Sequence, residues 1–232
     1  MVLTPQQLEA IMPDASQLLS DEPEMESSLH YAQLLLLVTC LEWLWRDRNN
    51  YFIGANLTIY FSRQQLRNRD FRGSDFFLVK QTQKHHRNSW VVWEEDGKYP
   101  NLIIELLLNS IADTDRNLKK SLYQDRFHTP EYFYFSPDTL EFQGFRLVGS
   151  EYQEIPTNAN GWLWSQELDL YLGIESGKLR YFTAEGGLVP TPEEAALQAQ
   201  LELEQQSLEL QQERQRAERL AQRLRSLGVD LD

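Results

Sequence analysis

With one cysteine, Cys40, in 232 residues, the chain can form no intrachain disulfide, which suits a reducing compartment. Histidine is scarce too, at four, and no Cys or His cluster has the spacing of a metal site. No Gly-rich phosphate loop and no serine nucleophile elbow occurs, which removes two common routes to enzymatic function. Long hydrophobic runs are missing: the most apolar window, Leu34 to Leu44, falls far short of the roughly 20 apolar residues a membrane span needs. The opening MVLTPQQLEAIMPDASQ has no basic stretch followed by an apolar one, so no signal peptide is expected. A soluble, cytoplasmic protein with no membrane partner is the expectation. Positive charge is also in deficit, with 22 Lys and Arg against 35 Asp and Glu and a net charge of -13. Modules that bind phosphate backbones usually carry the opposite balance.

What is present is ample core material, 41% hydrophobic and 12% aromatic, enough for one or two folded domains. The scarce cations are unevenly placed. Between Arg63 and Arg87 stand seven Lys or Arg against only Asp70 and Asp75, a basic island in an acidic chain. Arg72, Lys84 and Arg87 are its candidate phosphate contacts, set against the plainer reading of a solvated loop face. His85 and His86 look like a metal pair, but on a strand neighbours point to opposite faces. Trp90, Trp93, Trp162 and Trp164 read most simply as core and sheet-face aromatics.

Along the chain, residues 1–23 are a polar, proline-marked lead-in. From Glu26 to Arg48 apolar residues recur at helical spacing (Leu34, Leu37, Val38, Leu41, Leu44, Trp45), with Ser27 or Ser28 as cap, and predict a buried helix. The segments YFIGANLTIYF, SDFFLVK, SWVVWEE and NLIIELLL read as strands, the last two as strands covered on both faces. Residues 113–126 are helical in pattern, EYFYFS is another strand, and a meander with hairpin turns at Glu175-Ser176-Gly177 and Glu185-Gly186-Gly187 follows. This order predicts an α/β domain over 24–190 with a mixed central sheet flanked by helices. From residue 191 to 232 a different segment begins, with Thr191-Pro192-Glu193-Glu194 as a helix start. Ala196, Leu203, Leu210, Ala217 and Leu224 repeat every seven residues, but Gln206 and Glu213 interrupt a second seam. A long helix, with self-association as a coiled coil or docking onto its own domain, is expected.

Two acids stand out. Asp75 opens the apolar strand after Arg72-Gly73-Ser74, and Glu105 lies inside NLIIELLL, where a carboxylate is costly unless paired or metal-bound. An arginine partner or a metal would both answer for Glu105. Lys119 shares a helix face with Asp115 and Tyr123, so a plain Asp115–Lys119 ion pair is open beside a catalytic role.

Several pieces together resemble the Uma-two family of bacterial endonucleases, a branch of the PD-(D/E)xK superfamily. They are Pro100 to Glu105, the Asp-x-x-x-Lys-x-x-x-Tyr helix from Asp115 to Tyr123, Pro130 to Phe133, Phe145 to Tyr152, and Gly73-Ser74-Asp75-Phe76. The likeness spans roughly residues 24–190. It implies a restriction-endonuclease-like fold and a metal-dependent DNA endonuclease. Asp75, Glu105 and the Leu106 carbonyl would hold Mg²⁺ (or Mn²⁺), and Lys119 rather than Lys120 would assist the attacking water. Glu26 and His30 resemble an acid and a histidine that members place near the site; a helix-surface histidine is the plainer alternative for His30. Leu108 and Asn101 depart from the family's usual serine and aspartate, which leaves open a silent relative acting in binding or assembly through its C-terminal helix. A homodimer is the expected assembly, since two-strand cleavage calls for two sites.

Overall fold

A computed structural model of the chain describes residues 4, 18–20, 27–62, 73–107 and 112–226. It divides into two compact units, Met1–Val189 and Pro190–Asp232. In the first, helix α1 (Ser28–Leu44) is followed by β1 (Tyr51–Leu57), β2 (Ile59–Tyr60), β3 (Ser74–Lys80), β4 (Trp90–Val91) and β5 (Leu102–Leu106). Then come α2 (Ala112–Leu122), which runs into a π-helical turn at Tyr123–Phe127, and β6 (Glu131–Phe135), β7 (Phe142–Val148) and β8 (Glu151–Glu154). Strands β9 (Leu163–Ser165), β10 (Leu170–Glu175) and β11 (Lys178–Phe182) complete the unit. The second unit holds α3 (Pro192–Ser226).

Six strands form the main sheet in the order β1-β3-β5-β6-β7-β8. All neighbours are antiparallel except β5 and β6, which run parallel and are joined through α2. A parallel pair needs such a crossover, and helices then cover the sheet. The sequence of β5, LIIEL, is buried at every position, as is EYFYF of β6. Alternation splits these strands between two apolar layers. Leu102, Ile104, Phe133 and Phe135 pack with Leu34, Leu37 and Leu41 of α1 and with Leu172 and Tyr181 of the β9–β11 sheet. Ile103, Phe77 and Tyr132 pack on the other side with Tyr123 and Phe127 of the π turn. The architecture is thus the α/β one expected, a mixed sheet flanked by helices, with a long C-terminal helix.

Three details differ from the sequence reading. The helix α1 is capped by Ser27, whose Oγ accepts from the His30 N–H at 3.1 Å, yet only one of its faces is buried. Leu29, Tyr31 and Leu35 on the other are about half exposed, so uniform apolar content did not mean uniform burial. The run SWVVWEE is a strand for two residues only. Beyond Val91 the chain coils through left-handed Asp96 and Gly97, and the Gly97 N–H closes on the Val92 carbonyl at 2.9 Å. His85 and His86 lie in an exposed loop before β4 and not on a strand, so the strand argument against their pairing does not apply. His85 instead contacts the His86 carbonyl and His86 the Asn88 side chain.

Candidate active site

Parity along the strands brings the two acids together. Phe77 and Val79 of β3 and Ile103 of β5 face the α2 side of the sheet, and Asp75 and Glu105 share that parity. The antiparallel register pairs Phe76 with Ile104, and one further step sets Asp75 across from Glu105. A direct bond marks this adjacency: the Leu106 N–H donates to Asp75 Oδ2 at 2.7 Å. Asp75 Oδ1 lies 2.8 Å from His30 Nε2, which the first turn of α1 carries to the end of β3.

Glu105 is 1% exposed, and both of its oxygens are engaged. Lys119 Nζ donates to Oε2 at 2.7 Å and the Tyr123 hydroxyl to Oε1 at 2.6 Å. Those two donors sit four residues apart on one face of α2 and its π turn. Lys120, one residue on, is instead directed over the Phe145 ring at 3.4 Å. The structure therefore separates two adjacent lysines, with Lys119 alone of the pair at Glu105.

The electrostatics of the two carboxyls differ. Burial pushes Glu105 up and the charge of Asp75 adds to it; the Lys119 charge and the Lys119 and Tyr123 hydrogen bonds pull back, and the balance is about 7. Burial is also the largest influence on Asp75, but His30, Lys119 and the Leu106 N–H together outweigh it and hold the carboxyl below its ordinary value. The Tyr123 hydroxyl is pushed well above its usual range by burial and by Glu105, so it remains a donor. One acid kept ionised beside one poised near neutrality is a pattern found where charge or protons are handled.

Asp75, Glu105, Lys119 and His30 are thus gathered at one end of the sheet. Glu26 and Arg72 lie outside the described residues, as do Leu108 and the side chain of Asp115. The two other proposed phosphate contacts are drawn elsewhere. Arg87, its side chain 5% exposed, bonds Glu95 with Nε and Nη2, at 2.5 and 3.0 Å, and lies over the Phe52 and Trp90 rings. Lys84 is paired with Glu42 and the Tyr51 hydroxyl. Such geometry makes Arg87 a staple of the β4 loop, its guanidinium turned to Glu95 and the two rings.

Sequence reasoning used Tyr123 only as a spacing mark and missed its bond to Glu105. It also passed over Glu131, a second buried acid in an apolar strand. There the arginine alternative considered for Glu105 is realised. Arg146, the Ser165 hydroxyl and the N–H groups of Gln166 and Glu167 all donate to Glu131. An acid opening the apolar run EYFYF was the available signal, and only the folded register sets it opposite Arg146.

Among the described residues no three His, Cys, Asp or Glu side chains form a cluster able to hold a metal, and no helix is long and apolar enough to cross a membrane. A family model named Uma2 and described as "Putative restriction endonuclease" matches residues 16–184. No curated protein matches the chain. Among solved structures the chain is similar to one from Anabaena variabilis described as a "putative nuclease belonging to DUF820". The two share 12% identity at a TM-score of 0.45, over 62% of this chain and 76% of that one. A likeness that distant carries no argument about the chemistry of this chain.

Proposed function

The chain belongs to the Uma2 family, and from that premise, together with the convergence of Asp75, Glu105 and Lys119, we propose that it is a metal-dependent endonuclease hydrolysing DNA phosphodiester bonds. The observation that carries the proposal is the placement of two carboxylates on one sheet face with a lysine ammonium 2.7 Å from the buried one.

The donors suit a hard dication such as Mg²⁺, with Mn²⁺ as substitute. Asp75 and Glu105 offer oxygen only, and two protein carboxylates with several waters are a common magnesium set. Glu105 is a buried acid whose ionisation the neighbouring Asp75 charge opposes, which a bound cation would relieve. Leu106 directs its N–H at Asp75, and in an extended strand a residue's carbonyl emerges on the same side, so it is the third candidate ligand. When bound, the ion would stabilise charge on the phosphate and lower the pKa of the attacking water.

The chain's own residues do the rest. His30 and the Leu106 N–H hold Asp75 ionised and fix its orientation. Tyr123 fixes Glu105 from one side, so its second oxygen faces Lys119. The Lys119 ammonium supplies a localised positive charge for the oxyanion that builds up as water adds to phosphorus and the P–O bond to the leaving strand breaks. Cutting both strands would take two such sites, which a homodimer supplies.

A cleavage assay with Mg²⁺ on plasmid DNA tests the assignment. Glu105→Ala and Lys119→Ala are each expected to lower the rate by at least about 100-fold, as loss of a charge-stabilising group does; cleavage surviving both substitutions would overturn it. A second reading, a silent relative acting in binding or assembly, draws support from the full engagement of all four carboxylate oxygens by protein groups. It predicts no heat of Mg²⁺ binding in calorimetry and no cleavage by the wild-type chain.

A further inference from the structure

The helix α3 runs 35 residues, and its charges are sorted along its length. From Pro192 to Glu213 the sequence has six glutamates and no lysine or arginine; from Arg214 to Ser226 it has five arginines and one glutamate. The macrodipole favours acids at a helix start and cations at its end, but only over the first and last turn. Glu202, Glu209 and Arg216 lie well inside those limits. A lone helix would do better with opposite charges interleaved at i, i+3 or i, i+4, and here the one ion pair within α3 among the described residues is the i, i+3 contact of Glu213 and Arg216 at 4.0 Å. Glutamates of the first half instead take bonds from Gln198, Gln200 and Gln205.

The same helix carries the seven-residue stripe Ala196, Leu203, Leu210, Ala217, Leu224, and its described members are exposed, Leu203 at 67% and Leu210 at 54%. Leu220, three residues beyond Ala217, adds a second-seam position and is 54% exposed. The stripe is flanked on one side by Glu202, Glu209, Arg216 and Arg223, each one residue before a seam position. These four read acid, acid, base, base.

We propose that α3 is a dimerisation helix that pairs antiparallel with α3 of a second copy of this chain. The charge order decides both the partner and the direction. With Leu203 set across from the partner's Leu220, the flanking positions place Glu202 against the partner's Arg223 and Glu209 against the partner's Arg216. Two-fold symmetry repeats both pairs, giving four. A parallel pair would lay acidic half beside acidic half and basic beside basic. The polar Gln206 and Glu213 weaken the seam at its middle, so charge has more say over direction than apolar packing does. Pairing through α3 is independent of nuclease activity.

Sedimentation equilibrium of the full chain is the primary test. The wild type is expected to be a dimer at micromolar concentration. Glu202→Arg with Glu209→Arg is expected to raise the dimer Kd at least about tenfold, since all four pairs become repulsive. Adding Arg216→Glu and Arg223→Glu in the same chain restores all four and should return Kd to near the wild-type value. A nitroxide at Gln198→Cys reads direction; Cys40 is buried and stays unlabelled. Antiparallel pairing puts the two labels about 40 Å apart, from a rise of 1.5 Å per residue, and parallel pairing puts them side by side. A monomeric wild type, a double variant that dimerises as well as wild type, or a short label distance would each overturn the proposal. Circular dichroism of the variants shows whether α3 stays helical, so loss of pairing is not mistaken for loss of the helix.

Discussion

Glu105 and Glu131 are both 1% exposed acids in neighbouring strands, yet they are built for different ends. Glu131 receives a guanidinium, a hydroxyl and two backbone N–H groups, a set that satisfies a carboxylate completely. Burial, and next the facing Asp75 charge, push Glu105 up to about 7, and its one ammonium and one phenol offset this only in part. The consequence for stability has a definite sign. Between the ordinary value of 4.5 and about 7 the folded state holds a proton that the unfolded chain has released. Stability therefore falls as pH rises through that window. Asp75 works in the opposite sense, because its lowered carboxyl contributes stability that is lost only as acid drives the pH down through the lowered value. Urea denaturation from pH 5 to 8 should show the first effect, and Glu105→Gln, which cannot titrate, should flatten the slope. An unchanged slope in that variant would mean that Glu105 is not the titrating group.

At the scale of elements, the site depends on how α2 ends and on a glycine in the middle of β1. The α-helix gives way to a π turn at Tyr123, and His128, left-handed at φ 51°, stops it before Pro130. That widened turn buries Tyr123 and Phe127 on the sheet while Tyr123 keeps its i, i+4 relation to Lys119. The sheet beneath needs space for large rings. Gly54 pairs with Phe77 across β1 and β3, and a Cβ there would come within 2.1 Å of the Phe77 ring. Gly54→Ala would improve strand propensity but force the ring aside, and overpacking of this kind costs about 1–3 kcal/mol. A chemical-denaturation midpoint that drops accordingly is the expected result. Because Phe77 lies two residues from Asp75 on the same side of β3, the proposed Mg²⁺-dependent cleavage should fall along with stability.

For the whole molecule, the division at Val189–Pro190 separates a unit with two apolar layers from a helix whose described leucines are exposed. We expect residues 1–191 to fold without α3, showing one cooperative thermal transition and the near-UV signal of packed aromatics. A chain that loses that signal on truncation would show the units to be interdependent. The net charge of -13 belongs to the same scale. Part of it is the six glutamates in the first half of α3, of which Glu202 and Glu209 would face the partner's arginines in an antiparallel pair.

Periodicity, composition and capping residues were enough, read along the chain, for the mixed α/β class, the strand at Ser74–Lys80, the buried strand around Glu105 and the long helix after Thr191. Each of these is a local pattern, and local patterns are what spacing along a chain encodes. The anomaly of Glu105 was visible for the same reason, a charge written into an apolar run. Spacing alone did not give its bonding partners, and only the family resemblance joined Asp75 and Lys119 to it; Lys119 and Tyr123, 14 and 18 residues on, reach Glu105 once α2 is stacked on the sheet. Arg87 shows the converse: in sequence it belonged to a basic island, and folding paired it with Glu95 and the aromatic rings below. The family's spacing to Tyr123 pointed to Lys119 over Lys120, but that Lys119 reaches Glu105 while Lys120 lies over Phe145, and that Glu131 rather than Glu105 takes the arginine, are decided by side chains meeting across elements.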